Sequence, residues 1–230
     1  MTAPTELLDW WERGEVHLGT ALGRLTDEDF GDPTLLPGWS RARLLGHVAR
    51  NADALVNLLD WARTGVEKPM YPSPEAREAS IAAAAAQAPD ALREDVLTAT
   101  GRLAAAVQAM PEDAWTADVR TAQGRTVPAT QVLWMRSREA WVHAVDLKAG
   151  VGFDEVPEEV LVALVDDVFR MWDSRDEVPD VVVFSGDREW GTGSLAVSGS
   201  LPDVTAWLTG RSPGTGLRAD GPLPALPPWL

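Results

Sequence analysis

Two histidines and one glutamate carry the most distinctive chemistry in this chain: His47, Glu139 and His143. Glu139 and His143 stand four residues apart, so on a helix both side chains leave the same face, one turn from each other. Around them Val132, Met135, Glu139, Val142 and Asp146 recur at intervals of three and four, which places the carboxylate mid-stripe on a face expected to look into a helical core. A carboxylate there must be neutralised, paired or bound to a cation, because burying it alone is costly. His47 lies beside a second apolar seam, one turn after Leu44 and one turn before Asn51. Two imidazoles and a carboxylate on facing helices match a catalytic divalent-metal site that leaves coordination positions open. The same donor set also suits Fe(II). A plainer reading stays open on pattern alone: a Glu-x-x-x-His pair is common on helices, and a histidine beside a seam is often a hydrogen-bonded core residue. His17 falls off its helix's apolar stripe and is expected at an edge or on the surface. The 11 tryptophans are read as core and interface filling, with no cofactor role.

Four helical segments over residues 1–150 must position these groups. The first spans about Thr5 to Leu25, with Trp11, Leu18, Leu22 and Leu25 as its apolar stripe. Pro37 and Gly38 break the chain, and Ser40 is a good N-cap for the second helix, whose seam is Leu44, Val48, Asn51, Leu55 and Leu58. A proline-rich loop from Glu67 to Pro74 follows. The Ala-rich run after Ile81 is expected to lead into a third helix from about Asp90 to Met110. Thr121 to Thr126 reads as a polar connection, and the fourth helix should start near Pro128 and end near Gly150. Long helices with modest connections predict a four-helix bundle.

Residues 151–230 have a different texture and predict a small α+β domain. Phe153 to Pro157 is a linker, followed by a helix to about Trp172. Val181 to Phe184 and Ser194 to Ser198 read as strands, with Gly191 and Gly193 near a turn. Pro202 to Leu208 reads as a helix that stops at Gly210, and the tail Pro222 to Leu230 is expected to be extended. The strand order is not legible from sequence.

Composition narrows the function classes. Lys+Arg of 20 against Asp+Glu of 35 gives a formal charge of -15, which repels phosphate backbones and anionic membrane surfaces. No nucleic-acid or membrane partner is expected. The chain has no cysteine, so disulfides, thiolate metal sites and an intrinsic cysteine nucleophile are excluded. Met1 to Trp11 shows no signal-peptide pattern, and no apolar run approaches membrane-span length. A cytoplasmic monomer is the expectation.

Longer stretches around the ligand candidates carry a family resemblance. Leu36-Pro37-Gly38-Trp39-Ser40 with His47-Val48-Ala49-Arg50-Asn51 resembles the second-helix signature of the mycothiol-dependent maleylpyruvate isomerase family, a group of DinB-like metal-binding bundles. Pro69-Met70-Tyr71 with Ser73-Pro74-Glu75-Ala76-Arg77 is similar to its following loop. The likeness continues through Thr121-Ala122-Gln123-Gly124-Arg125-Thr126-Val127-Pro128 and Trp134-Met135-Arg136-Ser137-Arg138-Glu139, then Trp141, His143 and Asp146-Leu147. Val197-Ser198-Gly199-Ser200-Leu201, Gly210-Arg211 and Pro228-Trp229-Leu230 resemble the C-terminal domain more weakly. The loop from Asp176 to Gly191 looks short for the family.

The resemblance implies an α+β protein: a DinB-like four-helix bundle followed by a small sterol-carrier-like domain. It implies His47, Glu139 and His143 as zinc ligands, with active-site roles for Arg211 and, more weakly, Arg77. Its partners would be a small anionic keto-acid substrate and mycothiol, a low-molecular-weight thiol. The implied reaction is the cis–trans conversion of maleylpyruvate to fumarylpyruvate. A thiolate adds to the alkene, the resulting single bond rotates, and the thiolate is expelled. A protein without cysteine must take that thiol from outside. Arg211 could grip a substrate carboxylate or simply cap its helix, and Arg77 or Arg125 could add positive charge. Two rivals stay in view: a mycothiol S-transferase acting on another electrophile, and a non-catalytic metal-containing ligand-binding module.

Overall fold

The computed structural model describes residues 5–229; Leu230, which ends the C-terminal motif, and the first four residues of the Met1–Trp11 segment lie outside them. The chain divides into two compact units, one up to Gly150 and one from Val151 onward.

Among the described residues, the first unit holds five helices: α1 (Thr5–Gly23), α2 (Arg41–Thr64), α3 (Pro74–Ala85), α4 (Pro89–Gln108) and α5 (Gln131–Asp146). The expected seam of α2 is its buried face, with Leu44, Val48, Leu55 and Leu58 fully covered and Asn51 nearly so. Ser40 caps α2 by accepting from the Arg43 backbone N–H at 3.2 Å. Gly65 ends it in the left-handed conformation.

Three boundaries differ from the sequence expectation. The Ala-rich run does not lead into the next long helix but forms α3, capped by Ser73, whose hydroxyl accepts from the Ala76 N–H. Pro89 explains the break, because proline lacks an N–H and forces its predecessor, Ala88, into an extended conformation. Pro128 does not open a helix either. It closes the short strand β2 (Thr126–Pro128), which pairs antiparallel with β1 (Asp118–Arg120) around Val119 and Val127. The polar stretch Thr121 to Thr126 is the turn of that hairpin. Finally, α5 ends at Asp146 rather than near Gly150.

Helix α5 is enclosed on nearly all sides, and two glycines allow the close approaches that position the ligand candidates. At Gly14 of α1 an added Cβ would lie 2.9 Å from Trp141 Nε1 and 3.3 Å from Ala140 Cβ. At Gly46 of α2 it would meet the Ile81 carbonyl oxygen at 3.0 Å and Ala84 Cβ at 3.1 Å. Gly46 thus lets α3 lie directly against α2 beside His47. His17 is half-buried, its ring stacked at a tilt on Trp141 with centroids 4.9 Å apart.

The second unit is mixed α+β. It contains α6 (Glu158–Asp173), β3 (Val181–Ser185), β4 (Arg188–Trp190), β5 (Leu195–Ser198), α7 (Leu201–Leu208) and β6 (Arg218–Ala219). The sheet order is β4-β3-β5-β6, with β3 and β5 parallel and the outer pairs antiparallel. Most of the stretch from Asp176 to Gly191, which looks short for the family, is the β3–β4 hairpin, and its first strand is the one expected at Val181 to Phe184. Val181, Val183 and Val197 are fully covered, as is Trp172 on α6.

Candidate metal centre

His47 comes from α2, and Glu139 and His143 from α5, so the site depends on how these two helices are registered. Two arginines fix that register. Arg41, the first residue of α2, donates to the carbonyls of Leu147 at 2.7 Å and Lys148 at 3.1 Å, just past the end of α5. It occupies the place where a cation complements the last carbonyls of a helix. Arg136 on α5 is 1% exposed and donates across to the Val48 carbonyl at 2.9 Å and Asn51 Oδ1 at 3.1 Å. Its charge is balanced by Glu15 of α1, whose Oε1 accepts from Arg136 Nε at 2.6 Å.

Held this way, the three candidate residues converge. The Nε2 atoms of His47 and His143 each lie 2.9 Å from the same oxygen, Oε2 of Glu139. The imidazole rings stand nearly perpendicular, at 83°, with centroids 5.2 Å apart. One donor atom from each residue falls within 4.8 Å of the others, and this is a grouping able to hold a metal ion. All three side chains are at most 12% exposed.

The electrostatics fit a site built around charge. Burial works against an ionised Glu139, yet the two histidines hold its carboxyl well below the usual range. Burial pushes His47 below the ordinary histidine value despite Glu139. Burial also opposes a charged His143, but hydrogen bonds to Asp146 and Glu139 outweigh it and raise its pKa to about 9.

Asp146 is the group the sequence reading placed on the stripe without giving it a role. It is fully buried, and its Oδ2 lies 2.8 Å from His143 Nδ1. A carboxylate on the far nitrogen fixes the ring and leaves Nε2 to face a cation, as is usual for metal-bound histidine. Its spacing, three residues after His143, was the available signal. The arginine clamps carried no such signal, because an arginine in a sequence reads as a surface residue.

Arg77 is brought to the same place by α3: its Nη2 lies 3.3 Å from His47 Nδ1. It also donates to Glu78 and sits over the Tyr71 ring, 5.6 Å from the centroid. Burial raises the Tyr71 phenol pKa, with Arg77 opposing and Glu139 reinforcing the shift. Arg211 belongs to the other unit. There its guanidinium donates to the Thr209 carbonyl at 2.6 Å, the contact of a helix C-terminal cap. Arg125 is exposed in the β1–β2 turn.

Donor chemistry supports a cation at this point. Two imidazoles, once His143 has given up its proton, and a carboxylate are donors of the kind divalent zinc takes, and a set of three protein ligands leaves coordination positions open.

Comparison with known proteins identifies the family. The sequence profile described as the mycothiol maleylpyruvate isomerase N-terminal domain matches residues 11–148. A crystal structure of the mycothiol-dependent maleylpyruvate isomerase is 40% identical, spans 98% of this chain and 96% of that one, and superposes with a TM-score of 0.94. The crystal structure of a histidine-to-alanine mutant of that enzyme gives the same identity, coverage and TM-score. Among curated proteins none matches significantly. No helix of the described residues is long and apolar enough to cross a membrane. The chain therefore belongs to the mycothiol-dependent maleylpyruvate isomerase family.

Proposed function

We propose that this chain is a zinc- and mycothiol-dependent isomerase that converts maleylpyruvate to fumarylpyruvate, with His47, Glu139 and His143 as its metal ligands. The observation that carries the reading is the convergence of both histidine Nε2 atoms, 2.9 Å each, on one oxygen of Glu139 inside a buried bundle. When bound, zinc supplies a Lewis acid able to withdraw charge from an oxygen of the substrate.

The protein's own groups supply the rest. Asp146 holds the His143 ring through Nδ1, so its Nε2 lone pair points inward once the ring is neutral. Arg41 and Arg136 hold α2 against α5, so the ligands need little reorganisation to meet a cation. Arg77 supplies positive charge for a substrate carboxylate. Ligation through Nε2 puts the remaining proton of His47 on Nδ1, where it faces the Arg77 guanidinium, also a donor. With a metal bound, Arg77 Nη2 would be released to seek an acceptor while Nη1 stays on Glu78, and a carboxylate is the matched acceptor. We propose a substrate-binding part for Arg211 on the family pattern around Gly210-Arg211.

The experiment is replacement of His47 by alanine, read by metal content, circular dichroism and isomerisation assay. The expected protein is folded, loses its metal and has no activity. Full activity in metal-free His47→Ala protein overturns the proposal.

A further inference from the structure

The 67–74 loop, the end of α2 and the β1–β2 hairpin enclose a cavity of about 580 Å3 that the ligand cluster does not account for. It has the size of a site for a ligand much larger than a short keto-diacid. Arg77 and Tyr71 line its inner end, and Arg77 reaches from there to His47. The outer wall is Trp61, Glu67, Arg120, Thr121 and Gln123.

Three features of that outer wall select an occupant. First, its charges cancel: Arg120 lies 3.6 Å from Glu67. A dianion placed there would meet a carboxylate with no surplus cation, whereas an uncharged ligand meets no such repulsion. Second, Glu67, Thr121 and Gln123 mix donors and acceptors, as suits hydroxyl groups, which both donate and accept. Third, Trp61, Pro69 and Met70 line the same cavity, and an indole among apolar neighbours offers a broad non-polar face. Polar groups around an aromatic platform form a surface matched to a sugar ring, whose edge is hydroxyl and whose face is C–H.

We infer that the outer cavity binds the carbohydrate portion of the thiol cosubstrate, the glucosaminyl-inositol of mycothiol. The cysteine end then points inward past Arg77 toward His47, and the keto-diacid is held nearer the metal ligands. This rests on the proposed isomerase reading for the identity of the thiol. It gives Trp61, one of the tryptophans read as filling, a part in specificity. It also assigns the hairpin turn around Gln123 a role that its polar composition alone does not reveal.

The test uses the zinc-loaded full chain with Trp61→Ala and Gln123→Ala, the second being an exposed turn position where folding is not at stake. Steady-state assays give KM for mycothiol and for maleylpyruvate separately. Titration with unreactive S-methyl mycothiol gives binding without turnover. Trp61→Ala is expected to weaken mycothiol KM and S-methyl mycothiol binding by about tenfold, with a smaller change for Gln123→Ala. The KM for maleylpyruvate should stay as in the parent. A rise in maleylpyruvate KM with mycothiol binding unmoved overturns the inference by giving the cavity to the acid. Unchanged values for both ligands in both variants overturn it as well. Absence of thiol-dependent turnover in the parent sinks the isomerase reading instead, and the S-methyl mycothiol titration still decides the cavity.

Discussion

Zinc affinity should fall steadily as pH drops below about 9, because the site must release one proton to accept a cation. In the metal-free site burial disfavours the His143 imidazolium, but Asp146 and Glu139 outweigh it and set its pKa at about 9. Burial keeps His47 below the usual histidine value, so it is neutral at neutral pH. Glu139 lies well below the carboxylate range, so it is already ionised. His143 is then the one ligand that must lose a proton. Each pH unit below its pKa lowers the apparent affinity about tenfold, or ~1.4 kcal/mol. Between pH 9 and pH 7 the loss is on the order of fiftyfold, about 2 kcal/mol. The assay is competition with a chromophoric chelator at fixed ionic strength, with protons counted by calorimetry in buffers of different ionisation enthalpy. About one proton should appear per zinc bound at neutral pH. An affinity flat from pH 7 to 9, or no proton released, refutes the reasoning that Asp146 and Glu139 keep His143 charged. Stability of the metal-free protein follows the same group. Because the folded pKa lies above the ordinary histidine value of 6.5, the His143 contribution is complete below about 6.5 and lost as pH rises through about 9.

Other substitutions test the framework. Gly46→Ala places a methyl against the Ile81 carbonyl and Ala84, and should destabilise by about 1–3 kcal/mol in thermal unfolding; an unchanged Tm contradicts the close approach of α3 to α2. Arg136→Ala leaves the Glu15 carboxylate without its buried partner and should cost about 3–5 kcal/mol in urea unfolding. Adding Glu15→Leu should recover part of that loss, and no recovery would argue against the pairing as its source. Arg211→Ala should lower kcat/KM while zinc content is kept; an unchanged kcat/KM with a small stability loss leaves Arg211 as the cap of α7.

The sequence was most informative where periodicity and burial coincide. Leu44, Val48, Leu55 and Leu58 step along one face of α2 and are covered there, so the seam that places His47 could be read directly. Glu139 was legible for the same reason, as a carboxylate on a stripe expected to face inward, and His143 stood out as the imidazole one turn after it. What was not legible has specific causes. The Ala-rich run carries helix propensity everywhere, so only Pro89 marks the break between α3 and α4. That missed break concealed how α3 delivers Arg77 to His47. Strands β4 and β6, with three and two residues, are too short for alternation to show. Arg41 and Arg136 defeat a hydropathy reading, because their burial depends on carbonyls and carboxylates from distant segments.

Isomerisation at the bundle site should need metal and thiol together. The direct measurement is conversion of maleylpyruvate to fumarylpyruvate by one preparation, with and without mycothiol, before chelation, after chelation and after zinc is restored. Conversion should require mycothiol, disappear on removal of about one zinc per chain, and return when zinc is added back. Undiminished mycothiol-dependent conversion by protein shown to be metal-free would contradict it.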